Sequence, residues 1–185
     1  MRITKYLRTD QETIVRFLDL LGIGASMISG NKRAHPGFFI VSHTFMREYI
    51  EESVFKKEEL LFKALVDSGF PAEDGPIVAM RAEQTKSRES TEHMGNAARG
   101  WKGGDEEARG EVGWAASEIT LTLRQHLERL NTRIYPLLEQ NMSEEDEHKI
   151  AEGLNKIAFE ASMQSDTDKY TKLVESLQEE LNDWK

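Results

Sequence analysis

The chain has 185 residues, no cysteine and a formal net charge of −9. The missing cysteine excludes disulfides, thiolate metal sites and cysteine catalysis. The acidic surplus, spread along the chain, argues against nucleic acid and anionic membranes as partners, since both select basic patches. The length suits a single domain over residues 1–185, and an N-terminus without an apolar run points to a cytoplasmic protein with no membrane partner.

Helical periodicity dominates. Thr9-Asp10-Gln11-Glu12 has the form of a capping box and predicts a helix start. Ile14, Phe17, Leu18, Leu21 and Ile28 continue it as one apolar stripe to about Ser29. Gly24 sits inside that stripe at a cost of about 1 kcal/mol against alanine, which marks a close approach of another element. Pro36 opens a second helix that should end at Ser68, with Gly69 as its stop. A more polar third helix is predicted from Pro76 to about Arg99, with Ile77, Val78, Met80 and Met94 as its main apolar content. After a Gly-rich connection, a fourth should cover roughly Asp105 to Leu138 through Trp114, Ile119, Leu121, Leu123, Leu127, Leu130 and Ile134. Trp101 and Trp114, on either side of that connection, read as packing anchors, and Pro136 should kink the fourth helix.

Ser143 is a natural N-cap for a fifth helix, with acids on its positive end; Ile150, Leu154, Ile157 and Phe159 follow to about Ala161. A last amphipathic helix runs from about Asp166 to Trp184 through Tyr170, Leu173, Leu177 and Leu181. Four long helices with short connections pack most simply as an all-α, up-down-up-down four-helix bundle over about residues 7–140. The C-terminal helices, about 143–185, then cover one face or contact a partner, and a homodimer is the slightly favoured outcome.

Three stretches carry a resemblance: residues 45–62, then L-V-D-S-G-F-P-A-E-D-G-P-I-V-A-M-R-A-E-Q-T-K-S-R, then L-R-Q-H-L-E-R-L-N-T-R-I-Y-P-L-L-E-Q-N-M-S-E-E-D. In order and spacing they resemble the hemerythrin-like, HHE cation-binding family over roughly residues 7–160. The resemblance implies a four-helix bundle around a non-haem di-iron centre that serves oxygen binding, iron or oxygen sensing, or redox stress responses. It also implies ligand positions. The family's E-H pair of helix one falls on Asp10-Gln11, its H-x-x-x-E of helix two on Val54 and Glu58, its second E-H on Glu83-Gln84, and its last H-x-x-x-E on His126 and Leu130. Glu58 and His126 keep the family's residue type; Gln11, Val54, Gln84 and Leu130 do not.

Each iron wants five or six donors, and amides and alkyl groups are poor or useless ones. The expectation is that Val54 and Leu130 fill the former metal volume, while Gln11, Glu58, Gln84 and His126 form a hydrogen-bonded cluster in its place. On that reading the protein has no cofactor and is non-enzymatic, a regulatory or scaffold bundle acting on an unidentified protein partner. The alternative is a binding protein that holds one iron or other divalent ion, or a small ligand, on Glu58 and His126 with help from His43, Glu83 or Asp10. Oxidase or peroxidase chemistry ranks third. Plainer readings stand beside these: Glu58 as a surface acid in a K-K-E-E run, His126 as an ordinary core histidine, His43 as structural, and His35, His93 and His148 as solvated. Glu145-x-x-His148 has the spacing of a ferritin-type motif, but no second copy exists to complete one. Phosphate-loop, dinucleotide and nucleophile-elbow patterns are absent.

Overall fold

The computed structural model describes residues 2–30, 33–166 and 168–184, which form six helical rods and no strand. The first, α1, is Arg2–Ser29. The second, α2, runs over 36–67 as Pro36–Phe45, a π-helical stretch Met46–Val54 and Phe55–Asp67. The third, α3, is Pro76–Lys102. The fourth, α4, runs over 108–141 as Ala108–Arg129, a π-helical turn Leu130–Ile134 and Tyr135–Asn141. Two more, α5 (Glu144–Gln164) and α6 (Lys169–Asp183), complete the described chain. Among the described residues no helix is long and apolar enough to cross a membrane.

The first helix corrects the expected start. Thr9 lies inside α1, and its hydroxyl donates to the Tyr6 carbonyl at 2.6 Å rather than capping anything. Ile3 and Leu7 extend the apolar stripe upstream and are buried, so packing carries the helix past a local cap signal. The ends expected near Arg99, Leu138 and Ala161 each fall three residues later, at Lys102, Asn141 and Gln164, while the start after Ser143 and the stop at Gly69 hold. Ser143 makes a full capping box with Asp146. At the end of α2, Gly69 (φ 101°) lets its own amide reach the Val66 carbonyl and that of Phe70 reach Leu65, both at 3.0 Å. This is a Schellman stop, and only glycine takes that conformation without strain.

Side-chain pairs define the topology. Along α1 and α4, Thr4 meets Glu139, Gln11 meets Asn131, and Asp19 meets Arg124, so the two helices are antiparallel. Arg47 with Glu92 and Glu59 with Arg81 make α2 and α3 antiparallel. His93 with Glu111 and Glu83 with Arg129 do the same for α3 and α4. The bundle is therefore up-down-up-down. Its closing seam, between α1 and α2, is thinly packed on its own; α6 lies along α1 and the first part of α2, while α5 lies against the last part of α2. Trp184 seals that end, with its ring centroid 5.0 Å from Phe38. Gly24 is the close approach expected from the sequence, because a Cβ there would stand 2.7 Å from the Phe38 ring.

The core is aromatic at its middle: Phe17 stacks on Phe45 at 4.2 Å, and both are fully buried. Several residues assigned to apolar faces instead stand in solvent. Trp114 and Leu121 are 59% and 53% exposed, and Val78 and Phe159 are exposed too. Trp101 is the buried anchor of the pair; Trp114 only leans on His93 from outside.

Candidate functional site

Glu58, Gln84 and His126 project from α2, α3 and α4 into the middle of the bundle, and each is at most 3% exposed. The surface reading of Glu58 is thereby excluded; its neighbour Glu59 is the exposed acid, held by Arg81. Glu58 Oε1 accepts from Gln84 Nε2 at 3.0 Å and faces His126 Nε2 at 2.5 Å. On the other side of the imidazole, Nδ1 stands 3.8 Å from Glu83 Oε2, an ion-pair separation rather than a hydrogen bond. Glu83 in turn accepts from Arg129 Nε at 2.7 Å. The result is a chain of alternating charge, Glu58–His126–Glu83–Arg129, running from the core to the half-exposed guanidinium.

Electrostatics follow from that order. Burial alone would drive the proton off His126, but the charge and hydrogen bond of Glu58, then the nearby Glu83 carboxylate, outweigh it and raise the imidazole to about 9. Burial works against the Glu83 carboxylate as well, and the His126 and Arg129 cations still hold it below the ordinary range. Burial and then the Glu58 charge push the Tyr135 phenol well above its ordinary value.

Gln11 does not join the carboxylate, contrary to expectation. Its Nε2 donates to the Tyr135 hydroxyl at 3.3 Å and its Oε1 accepts from Asn131 at 3.0 Å. The reason lies in α4. Pro136 brings no N–H to the turn before it, so the ladder widens and the Tyr135 amide reaches back five residues to Leu130. That wide turn places Asn131 and Tyr135 opposite Gln11. The second wide stretch, Met46–Val54, ends four residues before Glu58, where the Phe55 amide reaches Ile50. It contains neither proline nor glycine, so the sequence held no signal for it.

Val54 and Leu130 both line a small cavity beside Glu58, with Gln11 and Tyr135 on its rim. Asp10 is taken by Lys57 at 2.8 Å, a pair the sequence did not suggest. His43 packs against Gly95 and Glu92, roughly 20 Å along α2 from Glu58 at 1.5 Å per residue. It is therefore no part of the centre. His148 and Glu145 sit on the exposed face of α5, paired with Glu152 and Lys149, so their spacing serves the surface. Among the described residues, no group of three or more His, Cys, Asp or Glu side chains is arranged to hold a metal ion. The sequence offers Glu83 as the acid of the family's second E-H pair and as a helper ligand, not as a partner of His126 and Arg129. Arg129 was findable, since it follows His126 by one helical turn on the same face.

No curated protein and no solved structure matches the chain. A family model does: the hemerythrin HHE cation-binding domain matches residues 2–138, which takes in α1 to α3 and all but the last turn of α4 and leaves α5 and α6 outside. An antiparallel bundle with Glu58 and His126 at its centre, matched over most of its length by that model, belongs to the hemerythrin HHE cation-binding family.

Proposed function

We propose that this member of the family works without a di-iron centre, as a non-enzymatic regulatory or interaction bundle. The observation that carries the reading is the use of Glu58 Oε1: His126 Nε2 and Gln84 Nε2 both point at this one oxygen of the retained carboxylate. The two retained ligand types thus engage each other through Glu58 Oε1 and His126 Nε2. Around them, Gln11 is committed to Asn131 and Tyr135, and Val54 and Leu130 offer alkyl groups. The cavity there measures about 20 Å³, room for one water. Such a donor set does not fit a pair of irons that each need five or six ligands.

The partner is then a protein met through the outer surface, or a second copy of the chain. The apolar face of α6 is already spent on its own bundle, with Leu177, Leu181 and Trp184 buried, so a homodimer would use another face. A second reading, a single bound cation, draws support from three buried atoms with no hydrogen bond: Glu58 Oε2, Glu83 Oε2 and His126 Nδ1.

Elemental analysis with an absorption spectrum separates these readings, on untagged protein expressed in iron-supplemented medium. A colourless protein with far less than one equivalent of any transition metal is the expected result. One equivalent would favour the single-cation reading. Two irons with a charge-transfer band would overturn the proposal.

A further inference from the structure

We infer that the cavity at the bundle centre is a binding site for one water molecule, which bridges Glu58 to Tyr135 where the family's metal would stand. This rests on the reading that no metal occupies the centre. One oxygen of the Glu58 carboxylate is doubly engaged, by Gln84 and His126. The other, Oε2, is buried without a hydrogen-bond partner among the described residues. A buried carboxylate oxygen left so is strongly disfavoured, and in native structures such atoms are satisfied by protein or by ordered water.

Across the cavity stands the complementary group. Tyr135 is 3% exposed. Its phenolic oxygen accepts from Gln11, which leaves the O–H to donate, and no acceptor among the described residues receives it. Glu58 and Tyr135 line the same cavity and make no hydrogen bond to each other among the described contacts. Both line a cavity of about 20 Å³, above the ~10–15 Å³ that one water needs.

Direct protein contacts do not close this gap. Asp10 and Lys57, also at the cavity wall, are paired with each other. Val54 and Leu130 complete the wall with alkyl groups, which confine a molecule without bonding it. A water placed there donates to Glu58 Oε2 and accepts from Tyr135, and the second amide hydrogen of Gln11 offers a third contact. Two to four polar partners are what buried waters ordinarily have. Gln11 thus enters the centre after all, at one remove.

The test is a crystal structure of the full chain at a resolution that shows ordered water, with anomalous data collected at the iron edge. Water deuteron relaxation dispersion on wild type and Tyr135→Phe accompanies it. The inference expects one peak without anomalous signal, within hydrogen-bond distance of Glu58 Oε2 and Tyr135 Oη, and one long-lived internal water fewer in the variant. A dry cavity, or Tyr135 donating directly to Glu58, overturns the water site and leaves the metal-free reading standing. An anomalous peak in the cavity overturns both. A variant that keeps every long-lived water counts against the site even if the crystal shows a peak.

Discussion

Replacing His126 by leucine strips the Glu58 carboxylate of its cationic partner while leaving it in the core. Both side chains are nearly dry, 2% exposed for His126 and 4% for Glu58, so solvent does little to screen the loss. Breaking one partner out of a buried ion pair costs about 3–5 kcal/mol, because a charge remains without compensation. For a chain of this size that is a fall in Tm of about 6–20 °C. Removing both partners together, as Glu58→Leu with His126→Leu, should cost far less than the sum of the two single changes, since apolar side chains of similar volume replace a buried pair at little net cost. The assay is a double-mutant cycle by urea unfolding at neutral pH on wild type, His126→Leu, Glu58→Leu and the double variant. A coupling energy near zero, or a His126→Leu variant within about 0.5 kcal/mol of wild type, would refute the argument.

Four other outcomes follow from the structure. His126 is raised to about 9 from 6.5, so its contribution is fully present below 6.5 and is lost as pH climbs through 9; urea midpoints should fall over that window, and His126→Leu should flatten the profile. The Glu83 carboxylate, held low by His126 and Arg129, acts in the opposite sense, and its contribution disappears as pH falls below the ordinary carboxylate range. Gly24→Ala should destabilise by about 1–3 kcal/mol, because its Cβ meets the fully buried Phe38 ring at 2.7 Å; a rise in Tm, as helix propensity alone predicts, would show that the ring has room to move. Finally, the combined Gln11→His, Val54→His, Gln84→His and Leu130→Glu variant should take up iron and turn yellow to orange. If it folds and stays colourless in iron-supplemented medium, the ligand register is misplaced.

Much of the architecture was legible because helix signals are local. The apolar stripe of α1, the Ser143 cap and the Gly69 stop depend on residues within a turn or two of each other, and all appear as read. The start of α1 was misjudged for the complementary reason: Ile3 and Leu7 are buried against other elements, and a capping box cannot report on that. Trp114 and Leu121 were misassigned because an apolar side chain carries no record of which face of its helix the bundle covers.

The residues at the centre divide the same way. Spacing and family register named Glu58, Gln84 and His126 from the sequence alone, since one helical turn fixes which side chains share a face. Their convergence on a single carboxylate oxygen, the diversion of Gln11 to Asn131 and Tyr135, and the arrival of Glu83 with Arg129 depend on how the rods are rotated and on two stretches of wide helical turns. The sequence by itself determined the helices, their order and the inventory of polar groups that reach the core. The tertiary structure alone decided which of those groups meet, because a hydrogen bond reaches about 3 Å and a shift of one residue between two packed helices moves a side chain by half of that.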